Sequence, residues 1–149
     1  MTRGPIDLKI VGDRLRILQL CLDQLERIPA ADRTEFTQDF RSAAAAESLL
    51  RRAIEALLDA ARHVLARAHG LAALEYREVA RLAAEKGLVA DPALGRRFVE
   101  IAGFRNRLTH YYDEVTPEEL LRILQTELGD LDRIAQALRK AVGELANPT

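Results

Sequence analysis

Apolar side chains recur at alternating steps of four and three residues over most of this chain, and that rhythm restricts the fold more than any other feature. Val11, Leu15, Leu18, Leu22 and Leu25 form one such seam, which predicts an amphipathic helix stopped near Pro29. Phe36, Phe40, Ala43, Glu47, Leu50, Ile54, Leu57, Ala61 and Val64 continue the spacing without a break. They predict a long second helix that runs to about His69, with Gly70 as its stop and room for a bend inside it. "YREVARLAAEKG" reads as a short third helix ended by Gly87, and "DPALGRRFVEIAGF" as the start of a fourth. A fifth carries the seam Leu124, Leu128, Leu131, Ala135, Leu138, Val142 and Leu145. Start signals agree with these bounds. Asp32 with Glu35 suits a reciprocal cap, Asp91 precedes Pro92, and Thr116 precedes Pro117, Glu118 and Glu119.

Strand-type alternation is missing, aromatics are only 5% of residues, and Ala and Leu dominate, so helix propensity and periodicity agree. The expected fold is all-α, an up-and-down four-helix bundle plus a short additional helix. With no linker-like stretch and no internal repeat, residues 1–149 read as a single domain. The start lacks a signal-peptide core, and no stretch approaches the roughly 18 apolar residues of a membrane span, which points to a cytoplasmic protein without membrane contact. Cys21 is the sole cysteine and reads as core filler.

Net charge is −1, so no global field attracts nucleic acid. The distribution is uneven. Residues 95–112 carry Arg96, Arg97, Arg105 and Arg107 against Glu100, a stretch that reads as a phosphate contact or as a solvated helix face.

Three His and three Tyr are present in all, and one His and two Tyr fall in "RNRLTHYY", Arg105 to Tyr112. On the fourth helix, Arg105 takes the seam position between Ile101 and Leu108. A guanidinium there needs a partner, a ligand or access to water. Glu47 interrupts the second seam, and a Glu47–Arg105 pair is one explanation of both anomalies. Asn106 and His110, at i, i+4, share a helix face, so the amide is placed to orient the imidazole. Continued helically, Arg105 and Tyr112 share another. A histidine to move protons and an arginine to hold phosphate and added negative charge suit metal-free cleavage of RNA, whose 2′-hydroxyl is the nucleophile. A C-terminal cap of basic residues is the bland reading of the same pair. Asp59 and His63 read as a surface ion pair, and His69 as a dipole partner. No nucleotide-binding or hydrolase motif occurs, and the carboxylates are too scattered for a metal site; no cofactor is expected.

"RNRLTHYY" fits R-x4-H-x-Y and resembles the motif of HepT-type toxins, a branch of the HEPN superfamily of small helical ribonucleases. "AAAAESLLRRAIEALLDAARHVLARAHG" is similar to that family's long second helix, and "YREVARLAAEKGLV", "AGFRNRLTHYYDEV" and the C-terminal helix follow in the family's order. The resemblance implies a HEPN-like homodimer with Arg/His pairs in a cleft between subunits. It further implies metal-independent cleavage of RNA rather than DNA, and a cognate MNT-type nucleotidyltransferase as antitoxin. Carried over, Arg105 and His110 are the catalytic pair, Asn106 is the supporting polar residue, and Tyr112 is the acceptor of AMP transferred by the partner. Tyr111 offers a second hydroxyl beside it. The alternative reading is a non-catalytic helical binding subunit of a nucleotidyltransferase; a purely structural helical protein is the third.

Overall fold

The computed structural model describes residues 4–72 and 75–147, with the backbone alone described at Tyr112. Among these residues the chain forms seven α-helices and one 3₁₀ turn: α1 (Leu8–Glu26), α2 (Arg33–Gln38), α3 (Phe40–His69), α4 (Tyr76–Glu85), α5 (Pro92–His110), the turn Tyr112–Glu114, α6 (Pro117–Thr126) and α7 (Leu128–Ala146). The long helices make the expected bundle, and α4 is its short extra member.

The first seam is buried as its spacing requires, from Val11 to Leu25, against Leu50, Ile54, Leu57, Ala61 and Val64 of α3. Cys21 lies in this core, where burial pushes its thiol up. α1 runs antiparallel to α3, because its start is tied to the end of α3. The Gly4 N–H donates to the Arg67 carbonyl at 2.9 Å, and the Asp7 N–H to His63 Nε2 at 3.0 Å. His63 therefore acts as an acceptor and is not the partner of Asp59. Asp59 instead accepts from Arg62 and Tyr76.

Helix starts follow the caps. Asp32, Asp91 and Thr116 accept from the backbone of Glu35, Ala93 and Glu119, with Pro92 and Pro117 in the first turns of α5 and α6. Asp7 and Asp39 cap α1 and α3 in the same way. Gly70 and Gly87 have φ of 69° and 79°, the left-handed region that glycine tolerates, just past α3 and α4.

Two seams that look continuous are interrupted. Asp39 has extended backbone (φ −98°, ψ 99°) and accepts from the Arg41 N–H at 3.0 Å, so α2 stops and α3 starts anew. The apolar stripe is rephased there. Phe36 is fully buried whereas Phe40, one nominal turn later, is 81% exposed. The C-terminal segment likewise divides at Glu127 (φ −122°, ψ −5°), whose carboxylate is gripped by Arg97 of α5 and Arg122 of α6.

α4 lies along α5 in the opposite direction. Gly95, early in α5, packs so closely on Ala84, late in α4, that an added Cβ would sit 2.9 Å from the Ala84 Cβ. At the other end of the pair, Tyr76 of α4 meets Arg105 of α5.

Candidate active site

Arg105 sits on the seam position that the sequence flagged, and its side chain is only 18% exposed. Its partner is Glu55, not Glu47. The guanidinium donates through Nε (3.1 Å) and Nη2 (2.9 Å) to Glu55 Oε1. The Glu47–Arg105 pair, one explanation the sequence left open, gives way to a partner about two turns further along α3, because the height at which α5 crosses α3 is a tertiary property absent from either helix's own pattern. Arg51 reaches the same Glu55 oxygen at 3.4 Å.

A second helix completes the surroundings of Arg105. Tyr76, the first residue of α4, places its ring centroid 4.7 Å from the Arg105 guanidinium carbon and 4.8 Å from that of Arg62. The Tyr76 hydroxyl donates to Asp59 Oδ1 at 2.7 Å, and Arg62 Nη2 donates to the same oxygen at 2.7 Å. Burial, reinforced by the bond to Asp59, pushes the Tyr76 phenol up to about 12. It is a protonated donor at any physiological pH.

Asn106 and His110 share a face of α5, as their spacing requires. The Asn106 amide, however, faces the arginine, with Oδ1 3.5 Å from Arg105 Nη1, the outer limit of a hydrogen bond. Together Arg62, Glu75, Tyr76, Arg105, Asn106, His110 and Tyr111 line one cleft of about 460 Å³. His110 and Tyr111 are exposed at its mouth. The helical count placed Arg105 and His110 on different stripes; the cleft brings them together because α4 supplies its other wall.

The helix count fails for Tyr112. α5 ends at His110, and Tyr111 leaves helical geometry (φ −134°, ψ 40°), so Tyr112 belongs to the following 3₁₀ turn. Its relation to Arg105 is not that of two residues on one helical face, and its side chain lies outside the described residues. The turn is held from both sides. Arg107 donates bidentately to Glu119, at 2.6 and 2.9 Å, joining the last turn of α5 to the first turn of α6.

The basic stretch is no open phosphate track. Arg97 pairs with Glu100, Glu127 and Asp130, Arg107 with Glu119, and Arg105 with Glu55, leaving Arg96 as an exposed member without an ion pair among the described residues. Glu55, Asp59, Arg62 and Tyr76 are the site residues that sequence reasoning missed. The signal was faint: Tyr76 is the one tyrosine outside the motif, and Glu55 and Asp59 are spaced i, i+4 on α3.

Among the described residues, no helix is long and apolar enough to cross a membrane. The chain is 24% identical over 120 residues (80% of its length and 80% of the relative's) to the tRNA nuclease HepT of Aphanizomenon flos-aquae. It is 22% identical over 130 residues to the mRNA nuclease HepT of Shewanella oneidensis, covering 87% of this chain and 96% of that one. Its fold matches that of the tri-AMPylated Shewanella oneidensis HEPN toxin solved in complex with an MNT antitoxin (TM-score 0.78, 22% identity, 88% of this chain and 97% of that one). It equally matches YutE, a cytosolic protein of unknown function from Bacillus subtilis (TM-score 0.78, 16% identity, 97% and 96%). The family model for HepT-like ribonucleases spans residues 18–138, and the chain belongs to that family.

Proposed function

We propose that this chain is the toxin of a toxin–antitoxin pair, a single-domain HEPN ribonuclease that cleaves RNA without a metal ion, with Arg105 and His110 as its catalytic residues. The observation that carries the reading is the cleft at the end of α5, lined by Arg105, Asn106 and His110 in a HepT-like chain. His110, exposed at the mouth, takes the proton of the 2′-hydroxyl as its oxygen attacks phosphorus. The P–O5′ bond breaks, the 5′-oxygen is protonated, and a cyclic phosphate and a 5′-hydroxyl result. Arg105 meets the added negative charge on the phosphoryl oxygens. In a homodimer the paired clefts supply two histidines, one as base and one as acid. DNA lacks the nucleophile and stays intact. The protein works in the cytoplasm.

Purified protein should cut RNA in the presence of EDTA, and both Arg105→Ala and His110→Ala should lose about 10²–10⁴-fold in rate while remaining folded dimers by light scattering. Wild-type cleavage by the His110→Ala protein removes His110 from the mechanism, and absence of cleavage by the wild type leaves the non-catalytic binding subunit. Parallel tRNA and mRNA substrates identify the target, since the two nuclease relatives are named for different RNAs.

The partner in this reading is an MNT-type nucleotidyltransferase, which the solved HEPN–MNT complex supports. It silences the toxin by moving AMP to Tyr112, two residues beyond His110, where a new phosphodiester and nucleoside compete with RNA for the cleft. Tyr112→Phe should stay toxic in the presence of the partner, and Tyr111→Phe should still be silenced. AMP found on Tyr111 by mass spectrometry reverses that assignment.

A further inference from the structure

The R-x4-H-x-Y segment supplies Arg105 but not what holds it. An arginine reaches its guanidinium through four torsions, so a clamp that must meet a transition state needs its plane fixed beforehand. Glu55 fixes one edge. It takes the Nε and Nη2 donors on a single oxygen, leaving Nη1 and the second Nη2 hydrogen at the opposite edge. A bond pair to one oxygen still permits the plane to swing about that oxygen. The central carbon of the guanidinium lies over the ring of Tyr76, 4.7 Å from its centroid.

We propose that Tyr76, on α4, is a positioning residue for catalysis: its ring sets the guanidinium plane of Arg105 so that the edge not engaged by Glu55 presents two donors to a phosphate in the cleft. The inference rests on the catalytic role assigned to Arg105.

The ring is itself anchored. Its hydroxyl donates to Asp59, one turn beyond Glu55 on α3, so that one face of α3 carries both a carboxylate for the arginine and a carboxylate for the ring. Ionisation would set two anions 2.7 Å apart, and the phenol's upward shift to about 12 keeps the anchor a neutral donor. The register of α4 on α5, locked by Gly95 against Ala84, brings the start of α4 over Arg105. Tyr76 lines the cleft together with Arg105, which places the pair in the wall a bound phosphate faces.

Steady-state cleavage of an RNA oligonucleotide by Tyr76→Leu, Tyr76→Phe, Arg105→Ala and the Arg105→Ala/Tyr76→Leu double variant tests this. Tyr76→Leu should lose about 10–100-fold, mainly in kcat, with circular dichroism and dimerisation unchanged, as misplacement of a catalytic group does. Tyr76→Phe keeps the ring and should restore most of the rate. The double variant should be no slower than Arg105→Ala, since Tyr76 acts through Arg105. If the leucine variant does not fold, Tyr76→Met fills the space without an aromatic face and gives the same readout. A wild-type rate for Tyr76→Leu beside an inactive Arg105→Ala overturns the inference alone, as does Tyr76→Phe being as slow as Tyr76→Leu. Full activity of Arg105→Ala overturns the catalytic reading on which it rests.

Discussion

Arg97 and Arg105 lie about two turns apart on α5 and are similarly shielded, their side chains 25% and 18% exposed, yet they are built for different work. Arg97 spends every nitrogen on a carboxylate: Nε on Asp130, Nη1 on Glu100 and Nη2 on Glu127. It straps α5 to the kink between α6 and α7. Arg105 has one carboxylate, two bonds to a single oxygen, an aromatic face, and a remaining edge whose nearest described acceptor is the distant Asn106 amide. Burial alone does not separate a structural arginine from one that can take a phosphate. The number of donors left uncommitted does.

The largest expected effect breaks this contrast at its centre. Arg105→Ala should cost about 10²–10⁴-fold in RNA cleavage with little change in melting temperature, as loss of a transition-state anion contact does. Arg97→Ala should do the reverse, leaving kcat intact while lowering stability by about 1–2 kcal/mol, between the values of exposed and buried ion pairs. Thermal melts and single-turnover rates on both variants check the crossing. If Arg97→Ala loses activity as deeply as Arg105→Ala at a temperature where both are folded, the two arginines are not different in kind.

What could be read from the sequence follows the same division between local and distant. Caps are local, so Asp32, Asp91–Pro92, Thr116–Pro117, Gly70 and Gly87 mark the helix ends where they occur. The motif is local too: Arg105, Asn106, His110 and Tyr111 come from one short segment and line one cleft. The break at Asp39 was hidden because Phe36 and Phe40 keep helical spacing across it, although the second points to solvent. The kink at Glu127 was hidden in the same way by Leu124 and Leu128. The frame of Arg105 lies 50 residues upstream at Glu55 and 29 upstream at Tyr76, and which turn of α3 or α4 meets α5 is decided by packing. For that reason the sequence offers Glu47, the acid that interrupts the seam, as one candidate partner, and the pairing falls to Glu55 instead.

A medium effect sharpens the role of packing. Gly95→Ala should destabilise the fold by about 1–3 kcal/mol, because the added methyl meets the Ala84 Cβ at 2.9 Å and neither backbone can yield cheaply. Since α4 carries Tyr76, the folded fraction should also cleave RNA several-fold more slowly. Ala84→Gly in the same chain removes the clash and should recover both properties. A Gly95→Ala protein with unaltered stability shows that α4 is free to shift on α5, and removes the register argument for Tyr76. Arg107→Ala should cost less, about 1 kcal/mol, since its bidentate bond to Glu119 is partly solvated.

The smallest effect concerns a histidine rather than an arginine, and extends the contrast from cations to imidazoles. His110 stands exposed at the cleft, whereas His63 accepts the Asp7 N–H at 3.0 Å and so needs an unprotonated Nε2. Burial, aided by the charge of Arg67 and opposed by that of Asp7, holds His63 below the usual histidine range. The folded state thus binds the proton less readily than the unfolded chain. The contribution to stability is present above about pH 6.5 and is lost as the pH falls through the unfolded value toward the folded one, because the unfolded chain protonates first. Melting temperature should accordingly decline as the pH falls below about 6.5 by more than carboxylate titration explains, with the start of α1 loosening from α3. His63→Gln supplies an acceptor that does not titrate, and should flatten that part of the profile while leaving the melting temperature at pH 8 close to wild type. Hydrogen exchange at the Asp7 amide gives the local readout: it should accelerate on acidification, after correction for intrinsic rates, in the wild type and not in the glutamine variant. Identical pH profiles for the two proteins would show that the Asp7 contact contributes nothing to folding.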